Sequence, residues 1–141
     1  MKKIVAFLFI FAAFSQLGWS ASREIVIAKA RIESVRDLPD PPRPANWVGG
    51  RYEVRAAIQK VLFGKLRASH IALTMDISNT PLTPVEVFLL LERGPGAHYQ
   101  VVVWDYFESG LCIRQDIARD YQIETTVRDL KAKYPCSALG G

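Results

Sequence analysis

The sequence predicts a mainly β fold, a small Greek-key β-barrel of five to six strands that ends in a C-terminal helix. Three observations support this prediction. A central stretch alternates between apolar and polar residues, several further β-branched segments are separated by glycine or proline turns, and the hydrophobic spacing becomes helical near the C-terminus. A β-sandwich is the second architecture considered, but the typical inter-sheet arrangement of cysteines and tryptophan is absent.

The stretch from Arg51 to Leu66 is the predicted central strand. Gly49 and Gly50 precede it, and Gly64 provides a turn near its end. One predicted face is apolar and the other is charged, as expected for a half-buried antiparallel strand. The apolar face contains Tyr52, Val54, Ala56 and Ile58, and the charged face contains Arg51, Glu53 and Arg55.

The remaining strands are predicted from β-branched or alternating segments between turns. Val85–Arg93 is apolar on both faces in its middle, so we expect it to lie centrally in the sheet. These strands favour a closed or partly closed OB-like barrel, since barrel closure removes exposed sheet edges. The other predicted strands are Arg23–Val35, Ser69–Ile77, Tyr99–Phe107 and a short sixth segment, Leu111–Ile113.

The C-terminal segment has helical spacing. Val127, Leu130 and Tyr134 follow one another at i, i+3 and i+7, which places them on one helix face. Pro135 is expected to end the helix.

The N-terminus is typical of an export signal. Lys2 and Lys3 precede a short apolar run, and Gly18 and Ser20 are the small residues expected before cleavage after Ser20. Cleavage after Ser22 is an alternative. The run is too short for the roughly 20 residues that span a bilayer, so no stable membrane anchor is expected. The prediction is a signal peptide over residues 1–20 and one exported domain over 21–141, periplasmic or extracellular.

Two cysteines, Cys112 and Cys136, belong to the predicted exported domain. An oxidising compartment favours a disulfide between them. A reactive thiol would need a neighbouring base or a recognisable motif, and the sequence contains neither. We therefore predict that the disulfide pins the end of the C-terminal helix to the strand that carries Cys112.

Several segments together carry a resemblance to a known family. They are Gly50–Val54, Val61–Gly64, a strand with Ile71 and Leu73, Phe88–Leu91 and Tyr99–Val102. In this pattern the chain resembles the netrin/tissue-inhibitor-of-metalloproteinases superfamily of OB-like domains. The resemblance implies an OB-like fold. It does not imply metalloproteinase inhibition, because no cysteine lies near the predicted mature N-terminus to meet a catalytic zinc ion.

The titratable residues do not form a recognisable catalytic or metal-binding motif. His70 and His98 are far apart in sequence and lack close partner ligands, so neither a metal nor another cofactor is predicted. Asp105 and Glu108, beside Trp104 and Tyr106, are the one candidate carboxylate pair for a small hydrolase. Solvated acids at a strand end explain them equally simply.

Basic residues form a row on the predicted outer face of the barrel. OB barrels can bind oligonucleotides, but an exported domain seldom meets them, and exposed charged rows usually serve solvation. The formal net charge also falls from +4 to +2 without Lys2 and Lys3. No nucleic-acid partner is therefore expected. The row comprises Lys29, Arg31, Arg51 and Arg55.

The loop over residues 36–50 is the candidate interaction site. Pro41, Pro42 and Arg43 belong to a stiff, extended proline-rich run, and Trp47 follows it. A stiff loop with an exposed aromatic residue would bind a protein at low entropic cost; alternatively, Trp47 plugs one mouth of the barrel. We predict an exported, non-catalytic domain that binds a protein partner through this loop. The alternatives are the Asp105/Glu108 hydrolase and a structural envelope module.

Overall fold

The computed structural model describes residues 23–40, 42–46, 48–78 and 83–137. These residues contain five strands, two α-helices and two short 3-10 helices at Pro95–Ala97 and Phe107–Ser109. The strands are β1 (Ile25–Leu38), β2 (Gly50–Phe63), β3 (His70–Ile77), β4 (Val85–Arg93) and β5 (Tyr99–Tyr106). The helices are α1 (Gln115–Asp120) and α2 (Glu124–Lys133). The predicted signal peptide lies outside the described residues.

The five strands form one antiparallel sheet in the order β3-β2-β1-β4-β5. Strand β4 returns to lie beside β1, which is the Greek-key arrangement of three consecutive strands and a returning fourth. The sheet curls until Cα atoms of β3 and β5 approach within 8 Å, but these two edge strands are not hydrogen-bonded neighbours. The prediction of a mainly β Greek-key fold is confirmed, with the barrel left open between β3 and β5.

Both faces of the sheet bury apolar side chains. The inner core lies inside the curl and receives side chains from β1, β2, β3 and β4, with Trp104 of β5 packed against it. The outer core lies between the sheet and the two α-helices, and it contains Ile27, Phe88 and Leu90 together with Val127 and Leu130. Strand β4 lies between β1 and β5 and supplies residues to both cores, which confirms its predicted interior position and explains why it is apolar on both faces. The middle strand of the sheet is β1, not the predicted central strand β2.

The disulfide joins Cys112 and Cys136, as predicted. It holds the chain just after α2 against the segment that follows β5. Gly110, which begins that segment, has a φ of 76°, and a Cβ atom there would lie 1.9 Å from the Pro135 carbonyl oxygen. Only glycine allows the two segments to approach this closely.

The predicted elements differ from the structure in several places. Strand β2 ends at Phe63 rather than at Leu66, and Phe107 belongs to a 3-10 helix rather than to β5. Strand β1 continues beyond Val35 to Leu38, because Asp37 and Leu38 pair with Tyr52 and Arg51 on β2. The loop between the two strands therefore shortens to residues 39–49. The segment Leu111–Ile113 forms no sixth strand; Leu111 and Ile113 instead bury their side chains in the outer core. A short helix, α1, lies ahead of the one helix that the sequence predicted.

Candidate binding surface at the first loop

The first loop, residues 39–49, is fastened to the ends of β2 and β3 by four charged residues. Asp40 accepts a hydrogen bond from the Arg51 backbone N–H at 2.9 Å. Asp76 accepts hydrogen bonds from Arg43 Nη2 at 2.8 Å and from Arg51 Nε at 3.0 Å. We call Asp40, Arg43, Arg51 and Asp76 the loop-anchoring cluster. It connects the loop to two strands through charge-assisted hydrogen bonds.

The strand register places this cluster. Arg51 and Asp76 are direct cross-strand partners on β2 and β3, so their side chains lie side by side on the same face of the sheet. Gly49 has a φ of 123°, and a Cβ atom there would lie 2.5 Å from the Ile77 carbonyl oxygen. Glycine at this position lets the loop enter β2 directly against the end of β3.

The charges of the cluster stabilise one another. The hydrogen bond from Arg51 is the main cause that lowers the pKa of Asp76 below its usual value of 3.8, and Arg43 adds to the effect. The same hydrogen bond raises the pKa of Arg51. Because the folded-state pKa of Asp76 is depressed, its anchoring contribution is present above pH 3.8 and is lost as the pH falls through the lowered value.

The predicted partner-binding residues occupy different environments. The Arg43 side chain is only 14% exposed because it is turned toward Asp76. Pro42 is exposed, and so is Val48, which is 77% exposed despite being apolar. Pro41 and Trp47 lie outside the described residues. Arg43 therefore anchors the loop, while Pro42 and Val48 present apolar surface to solvent.

Replacing Asp76 by asparagine tests the anchoring. We expect Asp76→Asn to speed hydrogen exchange at the Arg51 amide and to increase motion across residues 42–46, because the carboxylate that holds Arg43 and Arg51 is lost. Exchange and relaxation measured by NMR would show both effects. Asp129→Asn makes the same change on the exposed surface of α2 and should leave the first loop unaltered. A loop equally ordered in both variants would contradict the assigned anchoring role.

The candidate carboxylate pair is split between two environments. Asp105 is half-buried, and its Oδ2 accepts a hydrogen bond from the Cys112 backbone N–H at 3.1 Å. Desolvation raises the pKa of Asp105, although the bond from Cys112 opposes the shift. Glu108 is exposed in the 3-10 helix Phe107–Ser109. Asp105 is thus engaged by the backbone, and Glu108 faces solvent.

Two members of the predicted basic row, Lys29 and Arg51, pair with acids. Lys29 Nζ lies 3.3 Å from Glu86 Oε2 and 3.8 Å from the centre of the Phe107 ring. Arg51 belongs to the loop-anchoring cluster.

His70 Nε2 lies 3.7 Å from Glu33. Within the described residues, no group of three or more His, Cys, Asp or Glu side chains is arranged to hold a metal ion.

Fold and surface together define a small, open Greek-key β protein with two helices pinned by a disulfide. The chain matches no family model, no curated protein and no solved structure. The resemblance to the netrin superfamily therefore stays a prediction. In the described part of the chain, no helix has the length and apolar character needed to cross a membrane.

Proposed function

We propose that the protein is an exported, non-catalytic binding domain that recognises a protein partner through the first loop and the adjoining rim of the sheet. The observation that carries this proposal is a loop fastened at Asp40, Arg43 and Asp76 while apolar Val48 faces solvent. The disulfide supports export, because such bonds persist in oxidising compartments.

An anchored loop is suited to binding because much of its ordering cost is met during folding. The prolines restrict the backbone further, since each fixes one φ angle. A partner would then bury Val48 and Pro42 without first having to order the segment. Interfaces commonly combine such an apolar centre with a charged rim, and here the exposed parts of Arg51 and Asp76 supply charges at the edge.

The hydrolase alternative is less well supported by the geometry. A carboxylate-pair hydrolase needs two acids that face a common substrate position. The raised pKa of Asp105 suits a general acid. Its oxygen is, however, occupied by the Cys112 amide, and Glu108 lies on the exposed 3-10 helix. A binding role requires no such pair.

Affinity capture tests the proposed role. The oxidised protein, immobilised beside its Trp47→Ala and Val48→Asp variants, is exposed to envelope extract and spent medium. We expect the unchanged protein to capture one partner. The amount captured should fall at least tenfold with either variant, because hot-spot residues commonly contribute more than about 1.4 kcal/mol to binding. Mass spectrometry and quantitative immunoblotting would measure the loss.

Ala132→Asp is the matched control, since it adds the same charge on exposed α2. Thermal unfolding of each variant shows whether Trp47 contacts the partner or packs inside the protein. A Trp47→Ala protein that unfolds at a clearly lower temperature would indicate that Trp47 plugs the barrel. Capture of the same partner by all variants would overturn the proposed surface.

A further inference from the structure

A cleft of about 870 Å³ opens at the end of the sheet opposite the first loop. It lies where β1 and β5 begin, where β2 and β4 end, and beside the turn between α1 and α2. Its floor is apolar and includes Ile25, Phe63, Leu66 and Ile123. This volume is within the range of small-molecule binding sites.

The rim of the cleft is positively charged. Among the described residues that line it, the cations are Arg23, Lys65, Arg67 and Arg93, and the acid is Glu24. Arg93 Nη1 lies 2.9 Å from Glu24 Oε2, so these two charges offset one another. Lys65 and Arg67 are exposed and form no ion pair with any residue in the described part of the chain.

A tight backbone turn at Gly64 brings Lys65 and Arg67 to the cleft. Gly64 has a φ of 83°, and a Cβ atom there would lie 2.2 Å from the Ile25 carbonyl oxygen, so only glycine permits this close turn. Leu66 packs against the inner core between the two cations. The inward Leu66 therefore fixes a short segment whose neighbouring side chains, Lys65 and Arg67, reach solvent at the mouth of the cleft.

The opposite wall is ordered by a second set of contacts. The Arg23 guanidinium lies 5.1 Å from the centre of the Tyr121 ring and its Nε lies 3.5 Å from Glu92. The Tyr121 hydroxyl donates a hydrogen bond to Glu92 Oε2 at 2.9 Å. Aromatic stacking and the shared carboxylate hold Arg23 beside the cleft.

We propose that this cleft binds a small organic anion that carries an apolar body. Its carboxylate or phosphate would meet Lys65 and Arg67, which form no ion pair within the described residues, through charge-assisted hydrogen bonds. Its apolar part would cover the partly exposed Phe63 and Leu66. The cleft and the first loop lie at opposite ends of the strands, so this proposal does not rest on the proposed function.

NMR titration of the oxidised protein tests the site with three probes that share one alkyl chain: hexanoate, hexyl phosphate and hexanol. We expect at least one anion to shift the backbone amides of residues 64–68 and 121–123 saturably. Hexanol, which lacks the charge, should bind at least tenfold more weakly. The tighter of the two anions identifies the preferred head group.

The double variant K65A/R67A should weaken binding of the preferred anion by roughly tenfold or more, as expected when charge-assisted hydrogen bonds are lost. The matched control is R55A/K133A, which removes the same charges from exposed positions on β2 and α2. The control should bind as the unchanged protein does. Any of three results would overturn the proposal: no saturable shift with either anion, hexanol binding as tightly as the anions, or equal affinities of the two double variants.

Discussion

Replacing Phe88 by alanine should lower the free energy of unfolding by about 3–5 kcal/mol, the usual cost of removing a large aromatic side chain from a core. Phe88 is 1% exposed. Its ring centre lies 5.1 Å from those of Phe107 and Tyr134. The substitution therefore removes the centre of an aromatic cluster between β4 and the C-terminal segment. Chemical denaturation followed by circular dichroism would measure the loss.

Phe88→Leu is the control for this prediction. Leucine keeps much of the apolar volume, so the loss should be distinctly smaller than with alanine. Because Phe88 faces the helices rather than the inner core, near-ultraviolet signals from Tyr134 should change with Phe88→Ala. A loss below about 1 kcal/mol would contradict the packing described for the outer core.

Strand β3 could be predicted because its burial follows the local alternation of apolar and polar residues. Along β3, Leu73, Met75 and Ile77 are buried and the residues between them are exposed, so the periodicity of the sequence reports the fold directly. The end of β1 could not be predicted in this way. Asp37 and Leu38 continue the strand because β2 pairs with them, and that pairing is not a property of the local sequence.

The sequence does not predict helix α1, for a related reason. It has six residues, of which only Ala118 is buried, so it lacks the repeated apolar spacing that identifies longer helices. Its position depends on packing against the sheet, whose strands are distant in sequence, and against α2, which comes later in the chain. Helix α2, with Val127 and Leu130 buried on one face, has the repeat and was predicted.

The contacts that build the two candidate surfaces could likewise not be predicted from the local sequence. The prolines beside Arg43 predict a stiff loop, but they give no sign that Asp76, 33 residues further on, holds the guanidinium. Alternating charges on β2 and β3 are the only signal that could have suggested this pairing. Lys65 and Arg67 follow Gly64 in sequence, and nothing in that local sequence indicates that they line the same cleft as Arg23 and Tyr121.

Removal of the disulfide is the second change with a large expected effect. The variant C112A/C136A should lose about 3 kcal/mol of stability in the chain-entropy model, because the bond closes a segment of 24 residues that includes both helices. The other interactions between the segment after β5 and the chain after α2 are weaker than this covalent bond. They include hydrogen bonds from Leu111 N to Tyr134 O at 3.0 Å and from Ser137 N to Ser109 O at 2.8 Å. Urea denaturation of the two proteins would give the difference.

The unchanged protein with and without reductant provides an independent comparison that leaves every side chain in place. Reduction should lower the unfolding midpoint and increase the dependence of stability on urea, because the uncrosslinked unfolded chain exposes more surface. The amides of α1 and α2 should lose hydrogen-exchange protection before those of β1 and β4, since the helices depend on this covalent link and the central strands do not. Equal midpoints in both conditions would show that the outer core holds the helices without the disulfide.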